Sequence, residues 1–580
     1  MAERVVIDPL TRIEGHLRIE LETDAGEITK AWSETTQFRG IETILAGRDP
    51  RDAWAFAQRI CGVCTAVHAL ASVVAVENAI GSTPPEQARL IRDIILAAQN
   101  VQDHVIHFYH LHALDWVNVP AAATADPAKA VDFARSIGST WRGNNLDRFT
   151  TVRDTVKGVL DSGQLSIFTG GYWDHPDYRL PPEANLMAVA HYLDALEFQR
   201  SMIRIATVFG GKNPHPNFLV GGMACTIDPS HSESINQVQI DQIESWIAET
   251  SEFVKTCYVP DATAIMGVYT DYFDIGAAQP NYLAVGMAGA TYAGDPADSR
   301  LTSAWTDVKP GVILDGDLGT VHPFDPTKIA EWVSSAWYTY EAGDVGLTPD
   351  RGETTPAYTG PKPPYEWLAD NPQYTWSKAP RYDDKVVQVG PVARIMLAYA
   401  QGHPATRTAV DAACKKLGIT VDKLNSTAGR TLARALECSL VTDVLEQTIF
   451  PTFVRNIRGG DIEVFDPSKW DPGSWPAQAS GFSLMEVPRG NLSHWVTIEN
   501  GAIARYQAVV PTTWLTGGRD AQGRQGPYEE SLAGTGQHPL ADPDQPLEPL
   551  RTIHSFDPCM SCAVHVLDPD GAELGVVRSA

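Results

Sequence analysis

Cysteine is scarce in this 580-residue chain, eight in all, too few for a secreted domain held together by disulfides. Basic charge is also short, with Lys+Arg 45 against Asp+Glu 71 and a formal net charge of -26. A field of that sign repels phosphate, which argues against a nucleic-acid partner or an anionic membrane surface. Long apolar runs are missing too. The opening MAERVVIDPLTR carries charges at Glu3 and Arg4 and lacks a signal-peptide core. The longest uncharged stretch near the first cysteines, Ile60 to Val76, is shorter than a membrane span and contains a histidine and two cysteines. A buried helix is expected there, in a chain that neither exports nor anchors itself.

The hydrophobic pattern is mostly helical. Thr83-Pro84-Pro85-Glu86 reads as a capping box, and Ile91, Ile94, Ile95, Ala98, Val101, Val105 and Phe108 follow at helical spacing, predicting one helix to about Leu114. Further helices are expected over Ser234 to Lys255, Val392 to Gln401 and Ser426 to Ile457, packed as a bundle. Two hairpins stand beside them. Leu17, Ile19 and Leu21 alternate with Arg18, Glu20 and Glu22 before a turn at Asp24-Ala25-Gly26, and a second pair of runs flanks Asn500-Gly501. Thr348 to Tyr374, rich in Pro, Gly and Thr, reads as an extended surface loop. The fold class expected is mainly α with small β hairpins and sheets, an α+β arrangement around a helical core.

The cysteines are unevenly placed. Cys225, Cys257, Cys414 and Cys438 stand alone and read as small buried hydrophobes. The other four form two pairs, in RICGVCTAVH (Arg59 to His68) and FDPCMSCAVH (Phe556 to His565). Two thiolates on one short turn can grip a metal, but zinc knuckles and redox pairs share that pattern. A zinc ribbon places its second pair about 15–20 residues after the first, whereas here almost the whole chain intervenes. One metal site built jointly by both ends is favoured, with structural zinc and redox thiols left open. Arg59 and Asp557 put charged groups beside the sulfurs, which suits a site that handles protons.

These motifs resemble those of the large subunit of nickel-iron hydrogenases. The pattern RxCGxCxxxH matches Arg59, Cys61, Gly62, Cys64 and His68, and DPCxxCxxH matches Asp557, Pro558, Cys559, Cys562 and His565. TRIEGH (Thr11 to His16), FRGIE (Phe38 to Glu42), GGKNPHPNFLVGG (Gly210 to Gly222), PRGNLSHW (Pro488 to Trp495) and YQAVVPTTW (Tyr506 to Trp514) extend the likeness along the chain. A non-enzymatic relative such as the quinone-pocket subunit of respiratory complex I would lack the cysteine pairs.

The resemblance implies a nickel-iron centre that oxidises dihydrogen reversibly. Cys61 and Cys559 would be terminal on nickel, and Cys64 and Cys562 would bridge to an iron carrying carbon monoxide and cyanide. Cys559 and Glu14 would move the proton, with Arg489, Asp103, Asp557 and Pro488 around them and His68 beside a bridging sulfur. Thr512 would donate to a cyanide, with Pro488 and Arg489 also facing the iron's ligands. A magnesium-type ion would be held by Glu42, the Ala508 carbonyl and His565. Val63 and Leu111 match positions at the inner end of a gas tunnel. His104, His107 and His110 are expected to be a polar seam and not ligands.

Residues 1–565 would form one domain, and 566–580 an extension that a maturation endopeptidase removes after nickel-insertion factors have acted. No cysteines remain for an iron-sulfur relay, so the resemblance implies an iron-sulfur small subunit as partner. A membrane cytochrome b or another acceptor would follow it. The resemblance also implies membrane association through that partner, on the periplasmic or outer face of the cytoplasmic membrane, with a cytoplasmic location as the alternative.

Overall fold

The computed structural model describes residues 3–165, 171–289, 291–292 (backbone), 305–360, 367–534 and 538–560. Cys562, His565 and the 566–580 segment lie outside the described residues. Three antiparallel strands open the chain, β1 (Glu3–Ile7), β2 (Leu17–Asp24) and β3 (Glu27–Thr35). The helices that follow make the main core. They include α1 (Val67–Ile80), α2 (Glu86–Ile106), α3 (Pro182–Gly210), α4 (Gln237–Phe253) and α5 (Val259–Val268). Later come α6 (Pro391–Ala400), α7 (Thr427–Val444), the meander β4 (Gln478–Val487), β5 (Gly490–Glu499) and β6 (Ala502–Val509), then α8 (Pro511–Thr516) and α9 (Leu547–Ser555).

Alternation explains the first hairpin only in part. Leu17, Ile19 and Leu21 are buried, but Arg18 and Glu20 on the opposite face are buried as well. Arg18 is paired with Glu20 and Glu34, and Glu20 accepts from the Leu368 amide at 2.7 Å. The second face is thus covered by part of the stretch expected as a surface loop, in which Leu368 is fully buried. Burial lifts the Glu34 carboxyl to about 7 although Arg18 opposes it. Residues 361–366 of that loop lie outside the described residues.

Helix ends differ from expectation for identifiable reasons. Pro84 and Pro85 hold the backbone extended, so α2 starts at Glu86 with Pro85 as N-cap and no side-chain cap bond. The capping box expected at Thr83 is absent. One does form at Asn236–Gln239, ahead of α4. The Ile60–Val76 run is helical only from Val67, because Cys61 to Ala66 make the turns that present the sulfurs. Three helices widen into π turns, at His107–His112, Val254–Tyr258 and Leu445–Ile449. The histidines of the expected seam take separate partners, His104 of α2 meeting Glu437, and His107 and His110 of the first π turn meeting the His554 and Tyr192 carbonyls.

Two apolar cores meet at residues 556–560. Cys61, Cys64 and Cys559 pack into the helical core, while Phe556 and Met560 pack into a second core built on β1–β3 and α8. The last described residues therefore lie in the seam between them. Among the described residues no helix is long and apolar enough to cross a membrane.

Candidate metal centre

The first cysteine pair is fixed from behind. Arg39 donates to the carbonyls of Arg59 and Ile60 at 2.5 and 2.7 Å, and Gln99 of α2 donates to the Val63 carbonyl at 3.1 Å. Between these anchors the chain curls so that the Cys64 amide donates to Cys61 Sγ at 3.0 Å. An amide aimed at sulfur favours the thiolate. His68 lies in the first turn of α1, which starts at Val67, so Cys64 and His68 do not share one continuous helix. Its Nδ1 meets His494 Nε2 at 3.1 Å, and His494 meets the Tyr506 hydroxyl at 2.5 Å. Burial pushes His68 down to about 4 against the pull of Cys64, so the ring is neutral.

Cys559 of the second pair arrives from α9, every residue of which is buried. Arg434 and Arg430 of α7 donate to the Ser555 carbonyl and hydroxyl at 2.9 and 2.7 Å. His554 meets Asp115 at 2.7 Å and the Thr11 carbonyl at 2.8 Å, and Arg12 closes on the same Asp115. Against the cost of burial, Arg12 and His554 hold the Asp115 carboxyl well below its usual range. The N-terminal motif and α9 are thus pinned to one aspartate. Beyond them Asp557 turns at φ 61, and Cys559 forms an isolated parallel bridge with Glu14, the Met560 amide donating to the Glu14 carbonyl at 2.7 Å.

Three sulfurs converge as a result. Cys559 Sγ lies 3.3 Å from Cys61 Sγ and 3.4 Å from Cys64 Sγ, all buried. That exceeds a disulfide bond of about 2.05 Å and suits donors around a shared soft metal. Glu14 Oε2 stands 3.5 Å from Cys559 Sγ. Arg489 Nη1 is 3.2 Å from Cys64 Sγ and 3.0 Å from Asp103, while Nη2 is 3.0 Å from Asp557. Asp557, Cys64, Cys559 and Asp103 raise the already basic guanidinium despite burial. Burial drives Asp103 well above its usual range although Arg489 pulls it down. Gln99 adds a donor to Asp103 at 2.6 Å. Thr512, in α8, accepts from the Cys559 amide at 3.3 Å.

The structure therefore gathers Glu14, Cys61, Cys64, Asp103, Thr512, Asp557, Cys559 and Arg489, with Pro488 adjoining Arg489. Glu42 accepts from the Ala508 amide at 3.0 Å and from the Thr354 hydroxyl. The contact to Ala508 is thus through its N–H, and the third expected partner, His565, lies outside the described residues. The supports missed from sequence are Gln99, Asp115, Arg430, Arg434 and His554. Their one signal was charge or polarity inside apolar helical runs, such as the two arginines of α7. Two other buried groups, His112–Asp115–His554 and His191–Asp261 with Cys257, are closed by their own hydrogen bonds.

The family model described as nickel-dependent hydrogenase matches residues 39–565, and one described as HoxL-like matches 4–38. The uptake hydrogenase large subunit of Rhizobium leguminosarum bv. viciae is 45% identical over 591 residues, covering 99% of this chain and 97% of that one. The hydrogenase-1 large chain of Escherichia coli (strain K12) is 43% identical, covering 98% and 96%. Among solved structures, the reduced Ni-Fe-Se hydrogenase from D. vulgaris Hildenborough superposes with a TM-score of 0.75 at 30% identity, over 97% of this chain and 100% of that one.

Proposed function

The chain belongs to the nickel-dependent hydrogenase family, and from that premise we propose how its side chains share the work of oxidising dihydrogen. It is the large, catalytic subunit of an oxidoreductase acting on hydrogen, with a nickel-iron centre. The observation that carries the residue assignment is the convergence of Cys61, Cys64 and Cys559 within 3.3–3.4 Å, from opposite ends of the chain. Cys562, two residues beyond Met560, would complete a four-sulfur set. When bound, the metal pair supplies the polarisation that a molecule without a polar handle requires.

The chain's own groups then deal with the proton and the charge. Cys559 Sγ holds the proton, and Glu14 Oε2, at 3.5 Å, receives it. Arg489 is too weak an acid to serve as relay. Its fixed cation balances the sulfurs, and Asp103 and Asp557 aim it. Thr512, whose oxygen accepts from the Cys559 amide, retains its hydroxyl proton for a cyanide on iron. Carbon monoxide as a further iron ligand, and a magnesium-type ion held by Glu42, Ala508 and His565, complete the proposal. The Glu42 carboxylate and the Ala508 carbonyl are oxygen donors, which suit a hard cation.

Electrons need another route out, since the only clustered cysteines among the described residues are those at this centre. An iron-sulfur small subunit takes them, passing them to a membrane cytochrome b or a similar acceptor. Such a partner would hold the complex at the outer face of the cytoplasmic membrane. Residues 1–565 form the working domain, and a maturation endopeptidase removes 566–580 after nickel insertion. The end of the family match at 565 supports that boundary.

The test is hydrogen-dependent dye reduction by the matured heterodimer, with nickel and iron measured on the same sample. Cys559→Ser is expected to abolish turnover. One zinc per chain, without nickel or iron and without hydrogen-dependent reduction, would overturn the assignment.

A further inference from the structure

Arg489 occupies the second position of the two-residue turn between β4 and β5, since Val487 pairs with Gly490. That tip packs backbone against backbone on residues 389–390. A Cβ on Gly490 would lie 2.8 Å from the Gly390 nitrogen, and one on Gly390 would lie 2.9 Å from the Arg489 carbonyl oxygen. Helix α6 begins at Pro391 directly afterwards, which brings Arg394, in its first turn, beneath the tip.

Arg394 is fully buried. Its Nη1 donates to the Val487 carbonyl at 2.9 Å and its Nη2 to the Pro488 carbonyl at 3.0 Å, so the guanidinium grips the backbone on which Arg489 stands. The same fork reaches Glu437 at 2.6 and 2.7 Å and Glu486 at 2.9 Å. Glu437, on α7, is met by His104 Nε2 at 3.0 Å. His104 follows Asp103, which holds the Arg489 guanidinium at 3.0 Å. The contacts close a ring: α2 fixes Arg489 through its side chain, α6 through its backbone, and Glu437 ties the two helices together. Against the cost of burial, Arg394 and His104 keep the Glu437 carboxyl at about 2, charged throughout the working range.

We propose that Arg394 and Glu437 are positioning residues for hydrogen oxidation, setting where the Arg489 guanidinium stands over the cysteine sulfurs. This rests on the role given to Arg489 above. A displacement of about 1 Å in such a group can cost about 100-fold in rate. Lysine at 394 would keep the charge but replace a planar fork of five donors by one ammonium. It cannot serve two carboxylates and two carbonyls at once, and the tip is released.

The experiment uses the metallated heterodimer carrying Arg394→Lys, Glu437→Gln, Arg489→Lys and the double variants with Arg489→Lys. Turnover per bound nickel, the KM for hydrogen and the g values of the paramagnetic nickel signal are measured. Each of Arg394→Lys and Glu437→Gln is expected to lower turnover per nickel at least about tenfold at unchanged nickel content. The g values should shift, since Arg489 Nη1 lies 3.2 Å from Cys64 Sγ. In the Arg489→Lys background the further loss should stay under about twofold, because both changes act through one guanidinium. Wild-type turnover with unshifted g values, or losses that multiply in full, would overturn the proposal. Should Arg394→Lys fail to accumulate, Glu437→Gln alone decides by the same criteria. A wild-type heterodimer without nickel or hydrogen-dependent turnover would sink the functional reading instead, whereas an active wild type with indifferent variants sinks only this one.

Discussion

At Cys559 the sulfur has a cation on one side of its neighbourhood and a carboxylate on the other, and the carboxylate alone can take a proton away. Glu14→Gln preserves shape and removes that acceptor. It is expected to slow exchange of dihydrogen with solvent deuterons by about 100-fold or more, with nickel and iron content unchanged. Exchange at the wild-type rate would take Glu14 out of the path. Asp93 offers a residue-scale test remote from the sulfurs. Burial lifts its carboxyl from 3.8 to about 7, only partly offset by the Trp305 Nε1 donor at 2.9 Å. The folded chain therefore keeps a proton that the unfolded chain has released. The stability this contributes is complete below the unfolded value and is lost as pH rises through about 7. Asp93→Asn keeps the acceptor for Trp305. It should melt above the wild type near pH 8, by about 4 kcal/mol in stability, and lose that advantage near pH 4. Equal melting at both pH values would refute the shift.

Elements carry the geometry through a few close backbone contacts. Strand β4 crosses α1 at Gly481, where a Cβ would fall 2.3 Å from the Ala79 nitrogen and 2.5 Å from the Ala75 carbonyl oxygen. Gly481→Ala must push strand from helix, at a cost of about 1–3 kcal/mol. Because α1 follows Cys64 and the tip of β4 precedes Arg489, the same displacement should lower both the melting temperature and the nickel bound per chain. A variant that melts and loads like the wild type would show that the contact is slack. The helices and hairpins were legible because their periods are local: α4, α6 and both hairpins lie close to their expected spans. What sequence did not show is what closes from a distance. The buried Arg18–Glu20 face needed the covering segment around Leu368, and the non-helical turn that carries Cys61 and Cys64 needed the anchors Arg39 and Gln99. The cysteines could be read because motif and chemistry coincide in them. Asp115 and His554 could not, since a lone aspartate and a lone histidine have no spacing that announces a partner.

For the molecule as a whole, the costly act is bringing two ends together. Cys61 and Cys559 are 498 residues apart in sequence, and closing a flexible loop of that size costs about 5–6 kcal/mol. The Asp115 cluster, the Glu14–Met560 backbone bond and the burial of all of α9 oppose that cost before any metal binds. The metal-free chain should accordingly hold its three sulfurs within reach of one another. In a metal-free Cys562→Ala subunit, oxidised glutathione is expected to join Cys559 to Cys61 or Cys64, detected as a linked peptide by mass spectrometry. In urea, where proximity in sequence governs, the same oxidant should instead join Cys61 to Cys64. If the native subunit yields only that local bond, protein contacts do not close the ends, and assembly of the centre must wait for the metal.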